Sequence, residues 1–201
     1  MREIVLDTET TGLDCSNGDK IVEIGVIEWE NHIQTGKYFH SYINPQKKSD
    51  PKAEKVHGLT QEFLSDKPLF HEIAEDFLEF ISDSKIIIHN APFDVGFLNM
   101  ALGKIEKKEI EEYSFKITDS LKLAKLNRPG QRNNLDALCR AYGINNSQRS
   151  LHGALLDAEL LGEVFLAMTR GQEAFPINFT NENTEIKLGP VDQKKLSIIK
   201  P

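Results

Sequence analysis

The order in which two kinds of apolar pattern occur constrains the fold of this chain more than any other feature. Dense runs of branched residues come first: Ile4-Val5-Leu6, then Ile21 to Trp29 (IVEIGVIEW), then Tyr38 to Ile43, with residues 31–36 (NHIQTG) reading as the hairpin connection between the last two. From Leu69 onward the pattern changes. Phe70, Ile73, Phe77, Phe80 and Ile81 recur at helical spacing between Glu72, Glu75, Asp76 and Glu79, which predicts an amphipathic helix over 69–81. Lys85–His89 predicts a short buried strand, Phe93–Leu102 the helix after it, and Phe115–Thr118 a further strand. Helices follow around Ser120–Leu126 and Leu135–Tyr142, the second capped by Asn133 or Asn134. A last helix over about 154–168 would turn Leu156, Leu160, Leu161, Val164, Phe165 and Met168 to one side. Between Asn44 and Lys67 the chain is polar, with Pro45, Pro51 and Gly58 as breakers and at most a short helix near Gln61–Leu64. A hairpin meander followed by strands alternating with helices specifies an α/β fold, a mixed five-stranded sheet flanked by helices.

Composition narrows the class. A chain of 201 residues makes one domain, here 1–170, and leaves a tail over 171–201 rich in Asn, Lys and Thr that reads as flexible when alone. No run of about eighteen apolar residues occurs, so no membrane span is expected. The N-terminus enters a strand directly without a signal-peptide pattern, and the expected location is the cytoplasm. Cys15 and Cys139 are too few for a disulfide framework or a zinc site and read as reduced thiols. The net charge of −7 has the wrong sign for gripping a nucleic acid backbone unaided. Either nucleic acid is not the substrate, or bound cations and a basic partner supply the grip.

Several carboxylates stand at strand ends. Asp7 and Glu9 follow Ile4-Val5-Leu6 two residues apart, so on a strand they share a face. Their mutual repulsion points to a hard divalent cation between them, while the bland alternative is a strand running out into the polar turn Thr10-Thr11-Gly12. Asp94, in HNAPFD after the strand 85–89, is placed either to join that pair or to complement a helix dipole. His152 precedes Asp157 by five residues, which is about 140° around an ideal helix. Both can face one site only if His152 lies in a loop ending at Gly153 and Asp157 in the first turn of the following helix. Asp157 between Leu156 and Leu160 is costly to bury unless it is paired or binds metal. Asp119 and Glu23 read as structural acceptors, Trp29 and the helical Phe residues as core. His32, His40 and His71 read as solvated surface or core residues, and His89 and Asn90 as turn residues.

Taken together, DTETTGL at 7–13, HNAPFD at 89–94 and HGALLD at 152–157 resemble the DEDDh exonucleases of the DnaQ-like, ribonuclease H-like superfamily, over about residues 1–170. KIVEIGVIEW, the VHG at 56–58, KITDSL, RNNLDALC and SLHGALLDAELL extend the resemblance toward its polymerase-associated proofreading branch. It implies a ribonuclease H-like sheet and 3′-to-5′ exonuclease activity on DNA primer ends by two-metal hydrolysis. Asp7, Glu9 and Asp157 would hold one Mg²⁺ or Mn²⁺, Asp7 mainly the second, and Asp94 would act largely through water. His152 would be the general base, since an imidazole ordinarily titrates near about 6.5. Asp7, Glu9, Asp157, Thr10, Leu13 and His57 would contact a frayed or single-stranded DNA 3′ end, while Lys52 stands where relatives often carry an acid. The implied partners are a polymerase catalytic subunit and, through residues 171–175, a sliding clamp; the last stretch, 188–201, is a further candidate for docking on the polymerase. Two alternatives stay open: a free-standing DEDDh nuclease acting on RNA or oligonucleotide 3′ ends, and a non-catalytic polymerase assembly subunit.

Overall fold

The computed structural model describes residues 2–149 and 151–170. The tail over 171–201, with the clamp-like stretch 171–175 and the apolar end 188–201, lies outside the described residues.

Three antiparallel strands open the fold: β1 (Arg2–Thr10), β2 (Ile21–Glu30) and β3 (Ile33–Tyr42). Two parallel strands, β4 (Lys85–Ile88) and β5 (Lys116–Asp119), complete a mixed sheet of order β3-β2-β1-β4-β5. Seven helices surround it among the described residues: α1 (Pro51–His57), α2 (Gln61–Leu64), α3 (Phe70–Ile81), α4 (Ala91–Gly103), α5 (Ser120–Asn127), α6 (Leu135–Tyr142) and α7 (Ala154–Arg170). The α/β reading therefore holds, as does the short helix at 61–64. None of the described helices is long and apolar enough to cross a membrane.

Alternation along β1 divides the core in two. Ile4 and Leu6, with Ile24, Val26, Ile86 and Ile88, pack under α3 and α4 through Phe77, Ile81, Leu98 and Leu102. Val5, Ile27 and Ile87 point the opposite way, onto Leu138 of α6 and Leu161 and Val164 of α7. Each layer hides one apolar face of the sheet, and the polar ends of β1, β4 and α7 are left to meet at one edge.

Two differences from the sequence reading exceed a residue or two at the end of an element. The β2–β3 connection is not a loop over 31–36 but a two-residue turn, with Asn31 and His32 both at positive φ, +50° and +66°. That conformation matches the twist of flanking strands, so Ile33 and Gln34 pair at once with Glu30 and Trp29. The segment expected to be irregular contains α1. Asp50 caps it by accepting from the Lys52 N–H at 2.8 Å, Pro51 takes the first helical position, and Gly58 ends it at φ +73°. Residues that look like breakers here mark the two ends of a short helix.

Candidate metal centre

The site begins where β1 leaves the core. Leu6 faces α4, and so does Thr8, whose N–H and hydroxyl both donate to Asp94 Oδ1, at 3.1 and 2.7 Å. Asp94 thus hangs from the first turn of α4 against the strand. Asp7 and Glu9 alternate to the other face, toward α7. Asp7 pairs across the sheet with Gly25, and there the first turn of α7 comes so near that a Cβ on Gly25 would fall on the backbone of Ala154 and Leu155. This close approach brings Asp157, in that first turn, beside β1. Ligand atoms of Glu9, His152 and Asp157 lie within 4.8 Å of one another. His152 sits in the loop before α7, with its backbone N–H donated to Val56 O at 3.1 Å, so α1 holds the histidine loop over the site.

Burial and like charge act together on these acids. Burial raises the Asp7 carboxyl well above the ordinary range, reinforced by Asp94, Glu9 and Asp157 and opposed by Arg149. Burial, then Asp157 and Glu23, push Glu9 up to about 8. Asp94 rises to about 7, mainly through burial, although its Thr8 bonds pull it down. Asp157 goes the other way. Burial raises it, but the His152 and Arg149 contacts outweigh that and hold it low.

Arg149 is what sequence reasoning missed. Its Nε reaches Asp157 Oδ1 and its Nη2 reaches Asp157 Oδ2, both at 2.5 Å, a two-pronged pairing of the kind guanidinium forms best. Nη1 donates to Asp136 Oδ1 at 2.6 Å, and Nη2 also faces His152 Nδ1 at 2.8 Å. A cation three residues before His152 is the sole hint in the sequence, and spacing does not tell where its long side chain turns.

Beside the acids runs a cleft of about 570 Å³ lined by Glu9, Thr10, Leu13, Lys52, His57 and Phe93, among others. Leu13 stands 86% exposed at its rim. The Thr10 hydroxyl donates to Gly12 O at 2.6 Å and shapes the turn. His57 is buried; its Nδ1 accepts from the Leu59 N–H at 2.9 Å, while Nε2 has no partner among the described residues. Val56 and Phe93 add apolar lining that sequence reading did not single out. Asp119 caps α5 and receives the Asn90 N–H, an acceptor's role. His89 Nδ1 meets Ser120 Oγ at 2.9 Å. His40, read as an ordinary surface or core residue, has its Nε2 2.8 Å from buried Glu23, the cross-strand neighbour of Glu9, and an acid there needs a partner.

The donor set is all oxygen apart from one imidazole, and most of its carboxylates repel one another. That chemistry suits hard divalent ions.

Comparison with known proteins gives the same outline. A family profile described as an exonuclease, RNase T, matches residues 4–165. A Rickettsia typhi protein named DNA polymerase III subunit epsilon is 50% identical, the alignment covering 99% of this chain and 89% of that protein. A Pasteurella multocida protein of the same name is 46% identical over 98% of this chain and 79% of its own. Among solved structures, the nuclease domain of 3′hExo, a DEDDh family member bound to rAMP, superposes with a TM-score of 0.72 at 16% identity, covering 85% of this chain and 92% of that one. Exonuclease X, in complex with 5′-overhanging duplex DNA, gives a TM-score of 0.66 at 21% identity, covering 85% of this chain and 93% of that one, a likeness of fold. Since the family match runs from within β1 through α4 into α7, the three elements that carry the acids, this chain belongs to the RNase T exonuclease family.

Proposed function

We propose that this exonuclease removes mispaired nucleotides one at a time from DNA 3′ ends as the proofreading subunit of a replicative polymerase, with Asp7, Glu9, Asp94 and Asp157 holding two divalent cations and His152 as general base. The observation that carries the reading is that Glu9 of β1, Asp157 of α7 and the His152 imidazole bring ligand atoms within 4.8 Å of one another, with Asp7 and Asp94 near enough to interact and Glu9 lining an open cleft. When bound, Mg²⁺ or Mn²⁺ would supply charge neutralisation at the phosphoryl group and polarisation of a water.

The remaining work falls to side chains of this chain. Thr8 orients Asp94 through two hydrogen bonds, and the first turn of α7 fixes Asp157. His152, tethered to α1 but with its side chain 43% exposed, is placed to take the proton of an attacking water. Leu13, Val56 and Phe93 offer an apolar surface for the last base, with His57 in the lining beside them. These contacts read no sequence, so mismatched ends are chosen because they fray more cheaply, by analogy with base extrusion. The polymerase partner and the DNA substrate rest on the name borne by the relatives that align over most of this chain. A partner would also supply the positive surface that a chain of charge −7 lacks.

The test is release of nucleotide from matched and mismatched primer ends with Mg²⁺ or Mn²⁺, with and without a polymerase catalytic subunit, beside an RNA end of the same sequence. Faster release from mismatched DNA is expected. Equal rates on the two DNA ends would remove proofreading, and faster release from RNA would favour the free-standing nuclease.

A further inference from the structure

Arg149 is a cation built into the candidate centre. Its side chain is 6% exposed and that of Asp157 is 4% exposed, so the pair is sealed from water and little screened. The fork takes both oxygens of Asp157, and the contact to Asp136 holds the other end of the guanidinium. Asp136 is itself fixed by Asn146 Nδ2 at 3.0 Å and lies nearer solvent, its side chain 40% exposed.

We propose that Arg149 competes with a divalent cation for Asp157: the guanidinium holds Asp157 and His152 together until an ion displaces it onto Asp136. The inference rests on the reading of this centre as a divalent-metal site. An ion held by Asp157 would have to take an oxygen that Arg149 already contacts, since the fork occupies both Oδ1 and Oδ2. Two cations on one buried oxygen repel strongly, so one of them must leave. Arginine does not leave by losing a proton, because its guanidinium stays charged at any ordinary pH. Asp136 gives it somewhere to go, since that contact already exists and need not form anew.

The same contact bears on the histidine. Nη2 faces His152 Nδ1 at 2.8 Å while it contacts Asp157 Oδ2, so the guanidinium that holds the carboxylate holds the imidazole as well, and Arg149 is a positioning residue for both.

Calorimetric titration with Mn²⁺ alone, on the full chain without substrate, tests this in the natural protein, Arg149→Gln and Arg149→Lys. The Gln variant should bind Mn²⁺ about tenfold tighter, the scale on which an uncompensated buried carboxylate seeks a cation, and melt lower in chelator. The Lys variant, which keeps the charge and loses the fork, should fall between. If the Gln variant does not fold, the natural protein still decides. On addition of Mg²⁺ the Arg149 Nε–H resonance should move toward its solvent-exposed position. Equal or weaker Mn²⁺ affinity in a folded Gln variant, or an Arg149 resonance unmoved by saturating Mg²⁺, overturns the competition and leaves the metal site standing. Absence of Mn²⁺ binding in all three proteins overturns both.

Discussion

At the scale of single residues, burial makes Asp7, Glu9 and Asp94 costly to ionise, and their like charge adds to that cost. Glu9 and Asp94 titrate at about 8 and about 7, against ordinary values of 4.5 and 3.8. Both are raised, so their stabilising protonated forms are fully present below about pH 4 and are lost as the pH climbs through about 7 and 8. In chelator the melting temperature should therefore fall from pH 5 to pH 8, and saturating Mg²⁺ should flatten that slope. A profile in chelator that is level or rising would show that these acids are already compensated. Asp157, held low by His152 and Arg149, contributes with the opposite sign, losing its share only in stronger acid. Asp7→Asn separates stability from catalysis. It should raise the melting temperature in chelator at pH 8, since it removes a charge that three neighbouring acids oppose. Nucleotide release should fall at least about 100-fold, the scale of losing one group that stabilises developing charge. Release within a few-fold of the natural rate would take Asp7 out of the chemistry.

At the scale of elements, two short features place the parts. Gly25 lets the start of α7 lie directly on β2, opposite Asp7. Gly25→Ala would force a methyl into backbone that cannot swing aside, at a cost of about 1–3 kcal/mol for overpacking. Because the shift carries Asp157 with it, activity should drop further than the melting temperature suggests; activity changing only in step with the folded fraction would deny the positioning role. The α1 cap gives a milder case. Asp50→Ala should cost about 1 kcal/mol, or about 2–4 °C in a chain of this size. Most elements were legible in the sequence because apolar periodicity, caps and strand ends are local. Glu9, His152 and Asp157, which the structure brings within 4.8 Å of one another, were legible because each sits at a boundary that the pattern marks. α1 was obscured because Pro51 and Gly58 read as interruptions when they were its ends, and Pro45 lies outside it. Arg149 and the His40–Glu23 pair were obscured for another reason: their partners come together only through tertiary packing, which leaves no periodic trace.

At the scale of the whole molecule, one edge of the sheet gathers side chains from both ends of the described fold. A chain ending at residue 170 should keep its metal affinity and nuclease activity, while capture of the polymerase subunit in a pulldown should weaken. Unchanged capture would assign docking to the nuclease body. Removing α7 as well is a different matter. That helix covers Val5 and Ile27 on one face of the central strands and brings in the last of the four acids. While the protein is being synthesised, the first 150 or so residues therefore emerge with that face bare and with the blade unfinished. A polypeptide still on the ribosome is therefore prone to stick to its neighbours before it holds all four acids.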